Sequence, residues 1–68
     1  MTTGTVKFFH TTRGFGFISP DDGSKDVFVH SSAVEKSNLR YIAEGDWLSF
    51  EVQQDARGPK AVNLQPAD

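Results

Sequence analysis

The sequence predicts an all-β fold in which five short strands close into a small barrel. Runs rich in β-branched and aromatic residues alternate with turn-forming clusters at residues 11–14, 20–24 and 55–58. The runs fall as three and then two, split by a long stretch, residues 31–45, that lacks strand alternation. Five strands in 68 residues are too many for one flat sheet with a helix, whereas a barrel buries them and leaves few edges. The first strand is read at residues 5–10, Thr-Val-Lys-Phe-Phe-His, and the second at 15–19 after a turn containing Gly14. Pro20 sets φ and Gly23 takes a left-handed position in the next turn, and a third strand follows at 26–30, so that the first three strands form an antiparallel meander. A single helical turn capped by serine is expected at 31–34, with Leu39, Tyr41 and Ile42 anchoring the connection. The fourth strand is read at 47–54, with Leu48, Phe50 and Val52 on one face and Trp47 on the other, packed against the long loop near Tyr41. Pro59 cannot donate a ladder hydrogen bond and so begins the fifth strand. That strand runs over 60–64, with Ala61 and Asn63 on one face and Val62 and Leu64 on the other, and residues 65–68 are expected to fray.

Length and composition bound the rest. Residues 1–68 make one domain. Such a chain buries roughly 60% of the surface it exposes when unfolded and is stable by about 3–5 kcal/mol. It has no cysteine, hence neither a disulfide framework nor a thiolate metal site. Nothing reads as a signal peptide or an apolar span, which makes the cytoplasm the expected location. Seven Lys and Arg against nine Asp and Glu give a net charge of −2, against the basic balance usual in nucleic-acid domains. The layout tells more than the sum: Lys7 and Arg13 sit beside the aromatic segments, while Glu44, Asp46, Glu51 and Asp55 lie later.

Side chains alternate along a strand. Phe15 and Phe17 therefore share one face of the second strand, with Gly16 and Ile18 behind. Phe28 and His30 share one face of the third, with Val27 and Val29 behind. If these strands pair, rings cluster on one side and branched aliphatics on the other. The aliphatic side supplies the core, leaving rings partly in water, where each can stack a nucleobase for about 1–3 kcal/mol. Paired phenylalanines in a small β-protein otherwise belong to a core. Gly14 and Gly16, read as leaving the backbone unshielded for a close partner, and the preceding Arg13 favour a binding surface. The order Arg-Gly-Phe-Gly-Phe-Ile agrees with the opening of the first ribonucleoprotein motif, although Pro20 occupies the place of its later aromatic.

Taken together, Gly4-Thr5-Val6-Lys7 leading into Phe8-Phe9, Gly14-Phe15-Gly16-Phe17-Ile18, Pro20-Asp21-Asp22-Gly23, Asp26-Val27-Phe28-Val29-His30, Ser32-Ala33, Glu44-Gly45, Ser49-Phe50 and Arg57-Gly58-Pro59 resemble the bacterial cold-shock proteins. The resemblance covers nearly the whole chain and implies a five-stranded antiparallel OB-fold barrel. It implies sequence-tolerant binding of single-stranded RNA and DNA, and an RNA chaperone activity that melts weak structure and influences transcription or translation. Carried over by position, Phe15, Phe17, Phe28 and His30 match the stacking platform, and Lys7 and Arg13 its flanking cations. Phe8 stands where tryptophan is common and His10 where asparagine is. Ser31 and Leu39 stand where aromatics are usual, which predicts fewer firmly held bases and a lower affinity. Arg57 and Lys60 join Lys7 and Arg13 as phosphate contacts.

Catalysis finds no support. Ser31 and Ser32 adjoin His30, but adjacency along the chain does not align a nucleophile with a base. No phosphate-cradling loop is present, so strand melting is energy-independent. His10 and His30 lack partners for a metal, and Asp21-Asp22-Gly23 lacks the spaced oxygens of a calcium loop. The expected partners are thus single-stranded nucleic acids, with no cofactor, metal, membrane or small-molecule substrate. The chain is expected to be a monomer, with residues 31–45 able to serve as the hinge of a strand-exchanged dimer. The competing reading is a protein-interaction barrel whose contact surface includes Trp47.

Overall fold

The computed structural model describes residues 2–67. Its elements are β1 (Thr2–His10), β2 (Phe15–Pro20), β3 (Val27–His30), α1 (Ser31–Lys36), β4 (Trp47–Asp55) and β5 (Gly58–Pro66). The strands close into one barrel in the order β1-β2-β3-β5-β4, with β4 returning to β1. The meander β1-β2-β3 is antiparallel throughout. One pairing departs from the antiparallel expectation: β3 meets β5 in parallel through a single registered pair, Phe28 with Lys60. The three-plus-two connectivity forces this, because α1 and the connection after it carry the chain round before β4 and β5 are laid down.

Each strand, together with α1 and the long connection, contributes to one core of Val6, Ile18, Val27, Val29, Val34, Ile42, Leu48, Phe50, Ala61 and Leu64. β2 and β3 follow the expected alternation, aliphatics inward and rings outward. β1 does not. Val6 pairs with Ile18 and Phe8 with Phe17, so Lys7 is an extra residue on β1. The bulge turns Phe8 to the outer face and Phe9 against the core. Gly16 makes this possible. A Cβ there would meet Phe9 Cδ1 at 2.7 Å and Phe9 Cα at 2.8 Å. Gly16 is therefore buried to admit the bulge, and does not open the backbone to a ligand.

β5 carries a second extra residue. Val62 pairs with Glu51 and Gln65 with Ser49, and Asn63 between them takes a left-handed φ of 53°. Inward positions therefore fall at Ala61 and Leu64, three apart, and not at Val62 and Leu64. Val52 was expected inside with Leu48 and Phe50, but it is 41% exposed. Among the described residues β1 covers β4 as far as Phe50, and Val52 lies beyond that part of the barrel.

Several boundaries also move. β1 begins at Thr2 because residues 2–5 pair with β4. Residues 65–67 are held, not frayed: Gln65 and Pro66 pair with β4, and the Ala67 N–H donates to the Trp47 carbonyl at 3.0 Å. Asp68 lies outside the described residues. α1 runs to Lys36, longer than one turn, and its cap is His30, not serine. In the connection, Ile42 is buried and Leu39 packs against the core, but Tyr41 is 68% exposed and anchors nothing. Trp47, 47% exposed, borders the long connection beside Leu39, Tyr41 and Ile42, and sends its indole N–H to Asp21 Oδ2 at 2.8 Å on the turn after β2.

Candidate nucleic-acid interface

The pairing register lays six rings on the outer face as two rows across three strands. Phe8, Phe17 and Phe28 form one row, and His10, Phe15 and His30 the other. Within the first row, centroids lie 5.5 Å apart from Phe8 to Phe17 and 5.8 Å from Phe17 to Phe28. Phe15 lies nearly parallel to Phe28, at 6.0 Å and 19°. Phe8 and His10 are 5.0 Å apart, Phe28 and His30 6.4 Å. These spacings suit mutual edge and offset contacts, worth about 0.5–1.5 kcal/mol per pair beyond burial. They hold the rings in place while half-burial leaves part of each phenylalanine to solvent.

The first row continues onto β5, where Lys60 registers with Phe28. Between these strands and the β4–β5 turn runs a groove of about 510 Å³. Phe17, Phe28 and His30 form one wall, and Arg57, Pro59 and Lys60 the other. Every residue anticipated as a base or phosphate contact thus falls on or beside one surface, except that Arg13 is placed only by its position in the exposed turn before Phe15. Ser31 and Leu39 add no ring: Ser31 opens α1, and Leu39 packs against the core.

Two of the four cations are already paired. Lys7 Nζ lies 3.0 Å from Asp26 Oδ2 and Lys60 Nζ 3.4 Å from Asp55 Oδ2. Neither pair involves Arg13 or Arg57. Both pairs are partly exposed, so each holds its cation weakly and can be exchanged for a phosphate. Asp55 also accepts from the Arg57 N–H at 3.0 Å, and that bond, with Lys60 second, holds its carboxyl below the ordinary range. Asp22, on the turn after β2, is lowered likewise by the Ser24 hydroxyl and N–H. The two carboxylates of the groove, Asp26 and Asp55, were not anticipated there from sequence.

His30 has a second task. Its Nδ1 accepts from the Ser32 N–H at 3.1 Å and caps α1. A backbone N–H only donates, so Nδ1 is the acceptor in this arrangement. The Gly14 carbonyl accepts from the Ser31 N–H at 2.8 Å, tying the turn before Phe15 to the same corner.

A closed five-stranded barrel with solvent-facing rings in register and cations at their margins defines an OB-type, nucleic-acid-binding class of domain. The comparisons agree and narrow it. The family model described as 'Cold-shock' DNA-binding domain matches residues 2–67. A "Probable cold shock protein y4cH" of Sinorhizobium fredii is 57% identical over 67 residues, covering 96% of this chain and 97% of the relative. "Cold shock protein CspA" of Rhizobium meliloti is 49% identical over 98% of this chain and 100% of its own length. "Cold shock-like protein CspB" of Escherichia coli is 53% identical over 91% and 87%. The chain belongs to the cold-shock domain family.

Proposed function

We propose that this chain binds single-stranded RNA and DNA on its six-ring face and acts in the cytoplasm as an ATP-independent RNA chaperone, not as an enzyme. One observation carries the reading: two three-ring rows, in register and half in solvent, end on a cation-lined groove. Phe8, Phe15, Phe17, Phe28 and His30 take base faces, with His10 at the margin, while Lys7, Arg13, Arg57 and Lys60 meet phosphates. Strand melting follows from mass action. A protein that binds unpaired bases and not duplex draws hairpins open by RT ln(1 + [L]/Kd), about 2.7 kcal/mol at a hundredfold excess over Kd. A barrel surface reached from one side, with rings that stack any base, suits such sequence-tolerant capture. Without rings at Ser31 and Leu39, the affinity falls below that of a full platform.

The test is anisotropy of a labelled pyrimidine-rich heptamer, run beside its duplex and with a folded Phe17→Ala, Phe28→Ala variant. Two lost stacks at about 1–3 kcal/mol each predict a loss of about thirtyfold or more. Equal affinity for duplex, or an unimpaired double variant, overturns the reading.

A further inference from the structure

A second aromatic surface is untouched by this function. Leu39, Tyr41, Ile42, Gly45, Asp46, Trp47, Leu48 and Pro66 enclose a groove of about 460 Å³ that shares no lining residue with the one beside Phe28. Its floor is aliphatic, since Ile42 and Leu48 belong to the core. Its rims are the two most exposed large apolar side chains among the described residues, Tyr41 and Trp47. Trp47 is fixed from outside the groove by its bond to Asp21 Oδ2, an oxygen that Thr3 Oγ1 also reaches at 2.8 Å. The indole nitrogen is therefore occupied, and the ring offers its face.

The charges here are opposite to those on the ring platform. Asp46 lines the groove, Glu44 lies two residues before it, and Asp21 stands behind the indole. Neither ion pair among the described residues engages any of the three. Arg40 is the one cation beside the groove in sequence, and Lys25 lines a different depression with Asp22 and Val52. Asp46 in the groove and Asp21 at the indole, with Glu44 near them in sequence, outnumber Arg40 and repel phosphate, and with it nucleic acid and anionic headgroups. They equally repel a second copy of the same face. They favour a guanidinium, which stacks on tryptophan or tyrosine while carboxylates complete its field.

We propose that this groove docks an extended protein segment carrying arginine and proline, with arginine over Trp47 and Tyr41 and proline against Leu39, Ile42 and Pro66. Proline-rich chains are already extended and lose little entropy in aromatic-lined grooves. The domain then holds RNA on its cationic rings and a basic tail on its acidic ones, so that a partner bearing such a tail carries the chaperone to its substrate.

The test is an NMR titration of the intact chain with a capped peptide of three Pro-Pro-Arg repeats, against a Pro-Pro-Glu control. The Trp47 indole N–H and Tyr41 amide signals should shift saturably with the arginine peptide alone, and saturating the ring platform with heptamer should not displace it. Tyr41→Ala, which removes an exposed ring and no described hydrogen bond, should weaken the peptide about two- to fivefold, one solvent-exposed cation–π contact. No saturable shift at millimolar peptide, equal binding of the glutamate peptide, or an unaffected Tyr41→Ala overturns the proposal. So does competition by the heptamer, which would assign the groove to nucleic acid.

Discussion

β2 and β3 alternate without a fault, whereas the strands on either side of them, β1 and β5, each carry one extra residue, at Lys7 and Asn63. The difference divides the labour of the barrel. The regular hairpin supplies four rings, Phe15, Phe17, Phe28 and His30, on a straight lattice. The bulged neighbours twist the sheet so that it closes, and in doing so they re-aim side chains. Without the bulge at Lys7, Phe8 would share the inner face with Val6, and the first row would lose its end ring. The platform is thus a regular surface extended by a defect beside it.

That contrast can be broken at Gly16, where the regular strand meets the bulge. Gly16→Ala drives a Cβ into Phe9 Cδ1 and Cα, at 2.7 and 2.8 Å. Overpacking of this kind costs about 1–3 kcal/mol, against the roughly 3–5 kcal/mol such a domain holds. Thermal unfolding should show a large drop in midpoint, and an unchanged midpoint would mean the bulge shifts without cost. A smaller effect is expected at the other defect. Asn63→Val places a β-branched residue at a φ of 53°, costing about 1–2 kcal/mol, and removes the Asn63 Nδ2 bond to Glu51 Oε1 at 2.8 Å. Asn63→Gly should keep more of the stability in denaturant unfolding, since glycine accepts that φ. Equal losses would credit the side-chain bond instead.

The smallest effect sharpens the comparison at the margin of the rings. Asp55→Asn keeps an acceptor for the Arg57 N–H while removing the charge that holds Lys60. On the proposed reading Lys60 then meets its phosphate without first leaving a carboxylate, and affinity for the heptamer should rise about two- to fivefold, the worth of one exposed ion pair. An unaltered affinity would place Lys60 off the nucleic-acid path. Acid unfolding reads the same residue. A carboxyl lowered from 3.8 stabilises the fold above that value, and its contribution is lost as pH falls through the lower folded pKa. The variant should lack that part of the acid transition.

The hairpin was legible because alternation is local: residues 15–18 and 27–30 declare both faces by themselves. Phe8 could be placed outward only through the family resemblance, since nothing in Val-Lys-Phe-Phe announces a bulge. The room for it lies in Gly16, on another strand, and the same glycine read alone suggested an open backbone. The strand ends at residues 2–4 and 65–66 were missed because their order comes from ladder partners about fifty and twenty residues away, not from local preference. The cations were counted correctly, but the pairing of Lys7 with Asp26 spans 19 residues and exists only once β1 and the start of β3 converge. Trp47 likewise finds Asp21 across 26 residues.

The single parallel pair between Phe28 and Lys60 makes that junction the thinnest seam of the barrel, with the meander on one side and the β4–β5 hairpin on the other. The groove beside Phe28 lies directly over it, with walls drawn from both halves. On the proposed reading, an oligonucleotide gripping Phe28 and Arg57 together would work as a suture, its binding energy becoming cohesion between two halves that the backbone itself barely stitches.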